Sequence, residues 1–242
     1  MHLISPACVT PAHIAARFGL DRRANALVEF AFAAPIVLSL GLYGIELGNQ
    51  SLVNMRISQI ALNLADNASR SGQILSSNVE QLREGDVNDV LQAARLQGAS
   101  FNLTTGGRIT VSSLENVKQS YDTAPVQRIH WQRCVGANND PAYASHYGTT
   151  TVSAGKTEFA ADKGTDLPGG MGKAGALVNA PAGSGLIFVE INYAYRPLTP
   201  WLMQPYRVHY TANMIVRNNR DFRQLYNPVS SATPSTCDRY TT

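Results

Sequence analysis

The chain has 242 residues, room for one membrane helix and one domain of ordinary size. Its formal net charge is only +3, and its Lys and Arg residues form no stripe interleaved with aromatic side chains. No nucleic-acid partner is expected, because such surfaces need a dense basic face.

Residues 1–24 read as a basic leader on the cytoplasmic side: Pro6 and Pro11 oppose a helix, and Arg17, Arg22 and Arg23 lie toward the end. Residues 30–45 then form a run of 16 without a charge, about 24 Å long as an α-helix. A bilayer core is about 30 Å thick, so a span must extend over residues 25–48. That places Glu29 near one hydrocarbon boundary and Glu46 near the other. The basic flank orients the N-terminus to the cytoplasm and sends the rest across the membrane. Two other readings compete. A buried core helix fits poorly with the polar flanks on both sides, and a cleaved secretory signal would need a small-residue site after the apolar run, which is missing. Within the span, Ala34, Gly41, Gly44 and Gly48 make one thin stripe along which a second helix could approach closely. The plainer account is that Gly and Ala are common in membrane helices.

Residues 49–72 are expected to continue as an amphipathic stem. Leu52, Val53, Ile57, Ile60, Ala61, Leu64, Ala65 and Ala68 recur at helical spacing opposite Asn54, Arg56, Gln59 and Asn63, and Gly72 is the expected stop. A hinge at Gly48, giving two helices, is the alternative. Residues 73–242 form the exported head. Asp86 is expected to cap a helix over 87–96, closed by Gly98. The acidic residues around it do not fit a calcium loop, because the ligand positions counted from Asp86 hold Val90 and Ala94.

Four segments alternate with period two: 108–112, 127–134, 186–195 and 207–217. Each has an apolar and a polar side, the pattern of an antiparallel sheet with one wet face. His130 and His209 fall on the wet side. The stem should cover the apolar side, which gives an α+β fold with a single membrane helix, a stem and about four strands. Residues 136–185 hold ten of the nineteen glycines and are expected to be a flexible loop.

Residues 169–174 look like a phosphate loop but have Leu167 and Ala174 where Gly and Ser or Thr are required. Ser184 lacks the upstream Gly of a nucleophile elbow. The two strand histidines have no carboxylate or thiol at ligand spacing. No catalytic residue, metal or cofactor is expected, and the chain reads as a non-enzyme. Of the three cysteines, Cys8 falls on the cytoplasmic side, whereas Cys134 and Cys237 share the oxidising side and could form a disulfide. Two unpaired thiols are the alternative.

The junction before the span carries a further pattern: Arg22-Arg23-Ala24, then Asn25, with Ala26-Leu27-Val28-Glu29-Phe30 opening the apolar run and Ile45-Glu46-Leu47-Gly48 closing it. It resembles the prepilin class, and more closely the TadE/TadG-like pseudopilins of tight-adherence (Flp-type) pilus systems. In those a basic leader ends in a small residue, usually Gly, where this chain has Ala24. Residues 129–134, 170–172, 188–198 and 214–217 look like the exported part of the same family.

The resemblance implies a pseudopilin-like structural or assembly protein of the bacterial inner membrane, with a periplasmic or extracellular head. A prepilin peptidase would cut between Ala24 and Asn25. Its partners would be other pilins or pseudopilins and pilus-assembly membrane proteins, met through Glu29, Phe30 and Glu46. The new amine of Asn25 would neutralise Glu29, four residues along the helix, within a subunit or between subunits. The competing function is a single-pass anchored binding or sensing domain with an uncleaved N-terminus.

Overall fold

The computed structural model describes residues 22–74, 78–228 and 232–242, with side chains from residue 25 onward. The chain divides into two compact units, residues 1–49 and residues 50–242. A helix α1, Arg22–Arg70, belongs to both. In the first unit it carries a mostly exposed apolar surface. In the second it is the stem of an α+β head.

The head's sheet has five antiparallel strands. Strand β3 is Gly107–Val117, β4 Val126–Val135, β5 Thr165–Asp166, β8 Ser184–Tyr195 and β9 Tyr206–Ile215, in the order β5-β4-β3-β8-β9. Two hairpins, β3–β4 and β8–β9, meet at the β3–β8 pair. The four long strands fall where period-two alternation puts them. The fifth is a two-residue strand too short to leave a periodic signal. Short ribbons β1 (Gln73–Ile74) with β2 (Glu80–Gln81), and β6 (Met171–Lys173) with β7 (Ala176–Val178), lie outside the main sheet.

One sheet face is covered as the stem periodicity requires. Val53, Ile57, Ile60, Ala61, Leu64, Ala65 and Ala68 are buried in one cluster with Ile109, Val111, Trp131, Ile187, Val189 and Ile191. Leu52, expected on this seam, is instead 52 % exposed. Arg220 closes the helix end by donating to the carbonyls of Ala68, Ser69 and Ser71, at 3.1, 3.1 and 2.8 Å. These are carbonyls that a helix terminus otherwise leaves unpaired.

Helix α2, Glu84–Gln97, packs Val87, Leu91 and Ala94 into the same core. It starts earlier than expected. Asp86 is not the cap but sits a turn inside, where its carboxylate accepts the Arg83 N–H at 3.0 Å. The cause is a distant partner: Glu84 is 2 % exposed and takes two hydrogen bonds from the buried Arg133 guanidinium of β4, the Nε contact at 2.8 Å. Drawing Glu84 to Arg133 winds the extra residues into the helix.

The second sheet face is not wet. Residues 136–185 lie across it, carrying β5, β6 and β7 and burying Leu114, Ile129, Leu186 and Phe188 beside Met171 and Ala180. Glycine is required where this segment meets strand backbone: at Gly164, with φ +83°, a Cβ would lie 2.2 Å from the Ile129 carbonyl oxygen. His130, expected on the wet side, is 1 % exposed. Between Ser113 and Leu114 the register shifts: Trp131 pairs with Ser113 and Ile129 with Leu114, leaving His130 as the extra residue of a bulge. Its Nδ1 sits 2.7 Å from Glu115, whose other oxygen accepts the Ser113 hydroxyl.

The C-terminal tail closes the exposed edge of β4. Cys134 and Cys237 are joined in a disulfide across 103 residues of sequence, a closure whose chain-entropy contribution is about 4–5 kcal/mol. Beside it the Cys134 N–H donates to Ser235 at 2.7 Å and the Gly136 N–H to Thr241 at 2.8 Å. Arg108 donates to the carbonyls of Gly136, Cys237 and Arg239 at 2.7, 2.6 and 2.6 Å and lies 4.4 Å over the Tyr240 ring.

Removing one partner of the Glu84–Arg133 pair should be costly, because it strands a buried charge. Glu84→Leu is expected to destabilise the head by about 3–5 kcal/mol, lowering its melting temperature by on the order of 10 °C. Adding Arg133→Met should restore most of the loss. Thermal denaturation of the three proteins by circular dichroism measures both effects.

Candidate functional site

The membrane-end residues singled out in the sequence lie on α1 within the first unit. Ala24 and Asn25 fall in the helix's opening turn, and the leader residues 1–21 lie outside the described residues. Beyond them α1 is bare. Leu27, Phe30, Phe32, Ile36, Val37, Leu38, Leu40 and Ile45 are each more than 60 % exposed. In water such a surface would be unstable, while in a bilayer it is satisfied by the acyl chains. Among the described residues, α1 is the single helix long and apolar enough to span a membrane.

Two carboxylates interrupt this surface, and the structure treats them differently. Glu29 is exposed near the start of the apolar helix surface, next to Phe30. Glu46 is fully buried and engaged in an interaction. The sequence placed both at hydrocarbon boundaries and could not distinguish them. Of the two, Glu29 is the one whose charge meets the surroundings of the helix.

The stripe of small residues keeps its open side. A side chain added at Gly41, Gly44 or Gly48 would meet nothing within 4 Å. At about 100° per residue, Ala34, Gly41, Gly44 and Gly48 fall within roughly one quarter of the helix circumference, with Glu46 well outside it. A second backbone could approach along this strip without displacing a neighbour.

No match to this chain is found among family models, curated proteins or solved structures.

The head holds two further concentrations of polar chemistry, neither foreseen from the sequence. The first is a cavity of about 400 Å³ between the sheet and the tail, lined by Arg108, Thr110, Gln132, Asp140 and Tyr240 among others. Its one buried cation, Arg108, is already committed to three carbonyls and an aromatic ring. The second surrounds Glu190, 1 % exposed, which accepts the His146 N–H at 2.9 Å and the Ser145 hydroxyl at 3.0 Å. His209 joins it, with Nδ1 2.7 Å from Asn192 and Nε2 3.2 Å from the Tyr147 hydroxyl. Among the described residues no three His, Cys, Asp or Glu side chains are arranged to hold a metal. The phosphate-loop lookalike at 169–174 lies on the β6–β7 ribbon, in which Lys173 pairs with Ala176, and no helix opens after its lysine. Ser184 is the first residue of β8, an interior strand, where it pairs with Asn116 of β3.

Within this cluster the His209 imidazole is biased toward its neutral form. Burial pushes His209 below the ordinary imidazole value, with Glu190 pulling the other way and His146 and Arg207 adding repulsion. A base with a depressed folded value contributes stability above its unfolded value, near pH 6.5, and loses it as the pH falls toward the folded value. The head's melting temperature is expected to fall on acidification below about pH 6.5, and His209→Gln to flatten that part of the profile. Melting curves between pH 7.5 and 5, compared for the two proteins, check this.

Proposed function

We propose that this protein is a pseudopilin-like structural or assembly subunit of a tight-adherence pilus apparatus. The first half of α1 holds it in the bacterial inner membrane, and the head is exported. The observation that carries the reading is the exposed apolar helix that bears both an outward carboxylate, Glu29, and an open stripe of small residues. A generic anchor needs only apolar length. A carboxylate at the hydrocarbon boundary costs about 2–3 kcal/mol if left alone, so its presence calls for a partner.

Cleavage by a prepilin peptidase between Ala24 and Asn25 would create that partner. The amine released at Asn25 lies four residues from Glu29 on the same helix, or can be offered by a neighbouring subunit. Processing and association would then be coupled through one charge. Pilins, pseudopilins and pilus-assembly membrane proteins would meet the Gly41–Gly44–Gly48 strip by close helix packing.

The cavity beneath the tail favours a second reading, a membrane-anchored binding or sensing domain with an intact N-terminus. Its volume of about 400 Å³ lies in the range of small-molecule sites. The commitment of Arg108 to backbone carbonyls takes up the cation that would otherwise orient an anionic ligand there.

N-terminal sequencing of the membrane-fraction protein separates the two readings. The pseudopilin reading expects a chain that begins at Asn25, and the binding-domain reading a chain that begins at Met1. Glu29→Gln and Glu29→Leu are expected to insert and be processed yet to fail to co-isolate with pilus components. Normal partner recovery by Glu29→Leu would remove the coupling mechanism.

A further inference from the structure

The β8–β9 hairpin ends in an apolar tip, and the fold fixes where that tip lies. Its ten connecting residues, 196–205, read Arg-Pro-Leu-Thr-Pro-Trp-Leu-Met-Gln-Pro. Trp201 is 77 % exposed, the highest value among the large apolar side chains of the described residues, with Leu198 at 60 % and Leu202 at 39 %. The tip is a built turn. The Leu202 N–H donates to the Thr199 carbonyl at 2.9 Å, with Pro200 in the position that proline pre-sets in such turns. Met203 is packed against the core behind it. Pro197, Pro200 and Pro205 limit the chain's freedom, and the segment's single charge is Arg196.

Within the head, the tip lies at the pole where the stem begins. Tyr206, the first residue of β9, receives the Gln50 amide at 2.8 Å and the Asn54 amide at 3.5 Å. Beyond the far end of β9, Arg220 binds the stem's last carbonyls at Ala68, Ser69 and Ser71. Strand β9 therefore runs beside the stem from its start to its end, and the hairpin tip lies at the end of the head where Gln50 enters it. Two positions before Gln50 along the chain, the apolar span ends.

We infer that this tip is a membrane-interface anchor: it dips into the headgroup zone of the leaflet facing the head, with Trp201 and Leu198 buried there and Arg196 at the phosphates. The inference rests on the reading of α1 as a membrane span. Three features fit lipid as the occupant. The headgroup zone is only about 5–7 Å deep on each side, so a turn needs little reach to enter it. Trp is the side chain enriched at that depth, because its ring is apolar and its indole N–H remains hydrated. The tip carries no carboxylate, which an anionic leaflet would repel, and has a cation at its base. A second attachment of this kind would hold the head against the membrane in addition to the helix.

Full-length protein reconstituted in phosphatidylethanolamine–phosphatidylglycerol vesicles tests this, since the chain has two tryptophans and Trp131 is buried in the core. W201F supplies the Trp131 background to be subtracted. The Trp201 emission is expected to shift to the blue, to be lost with lipids brominated near the headgroup end of their chains, and to resist aqueous iodide. Emission open to iodide and unaffected by brominated lipid, in vesicles that keep the protein through an alkaline carbonate wash, would overturn the interfacial contact and leave the span intact. Shielding from both quenchers would also overturn it, pointing to a protein surface over the tip. Loss of the protein in the carbonate wash would overturn the span and this inference together.

Discussion

The packing of one helical seam against one sheet face is the contact on which the head depends. Val53, Ile57, Ile60, Ala61, Leu64, Ala65 and Ala68 meet the apolar residues of β3, β4 and β8. Neither side is stable alone. A helix segment of this length is marginal in water without tertiary support, and a sheet with a bare apolar face would associate with another copy. Fully burying a Val, Leu or Ile is worth about 1.5–3 kcal/mol, and the seam does so for several residues on both partners. The same helix has no such partner over residues 25–45, where its apolar side chains stay exposed. One continuous run of backbone hydrogen bonds thus serves two environments, and the change from all-round to one-sided apolarity marks where one gives way to the other.

Beyond the apolar cluster of Leu114, Ile129, Leu186 and Phe188, the other sheet face is closed by polar chemistry. Glu190, Asn192, Gln132, Ser112 and Thr110 are all nearly inaccessible to water. They are tolerable because strand neighbours and residues 136–185 bring partners: Gln132 donates to Ser112 and to the Gly148 carbonyl, and Asn192 to the carbonyls of Tyr143 and Ala144. A buried donor or acceptor left unpaired costs about 1–3 kcal/mol, so each partner matters more through its absence than through its presence. The price of this design is long-range dependence. The segment that completes the face is connected by irregular backbone, with glycine at positions such as Gly164 where it meets a strand.

The candidate site was legible to an uneven degree. Glu29 and the small-residue stripe could be read from the sequence, because both depend on helical spacing inside an apolar run. The different fates of Glu29 and Glu46 could not, since each is simply a carboxylate at one end of that run. The tip around Trp201 was missed for a different reason. It is a proline-rich turn with no periodicity, and its place at the start of the stem arises from the return of the β8–β9 hairpin along α1.

By itself the sequence determined the elements whose signal is local. The apolar run, the seam of the stem and the four long strands each follow from a repeat of side chains along a few turns or pleats, and local hydrogen bonding enforces that repeat. Tertiary structure alone decided the rest. Helix α2 begins at Glu84 because Arg133, 49 positions later, holds that carboxylate in the interior. His130 is the extra residue of a bulge because the β3–β4 register slips by one residue between Ser113 and Leu114, an event of pairing and not of pattern. The polar sides of β3, β4 and β8 look solvated from their alternation, and they are covered because a distant segment supplies both the hydrogen bonds and the bulk. A periodic pattern records which side of a strand is polar; whether water or protein satisfies that side depends on groups the pattern does not contain.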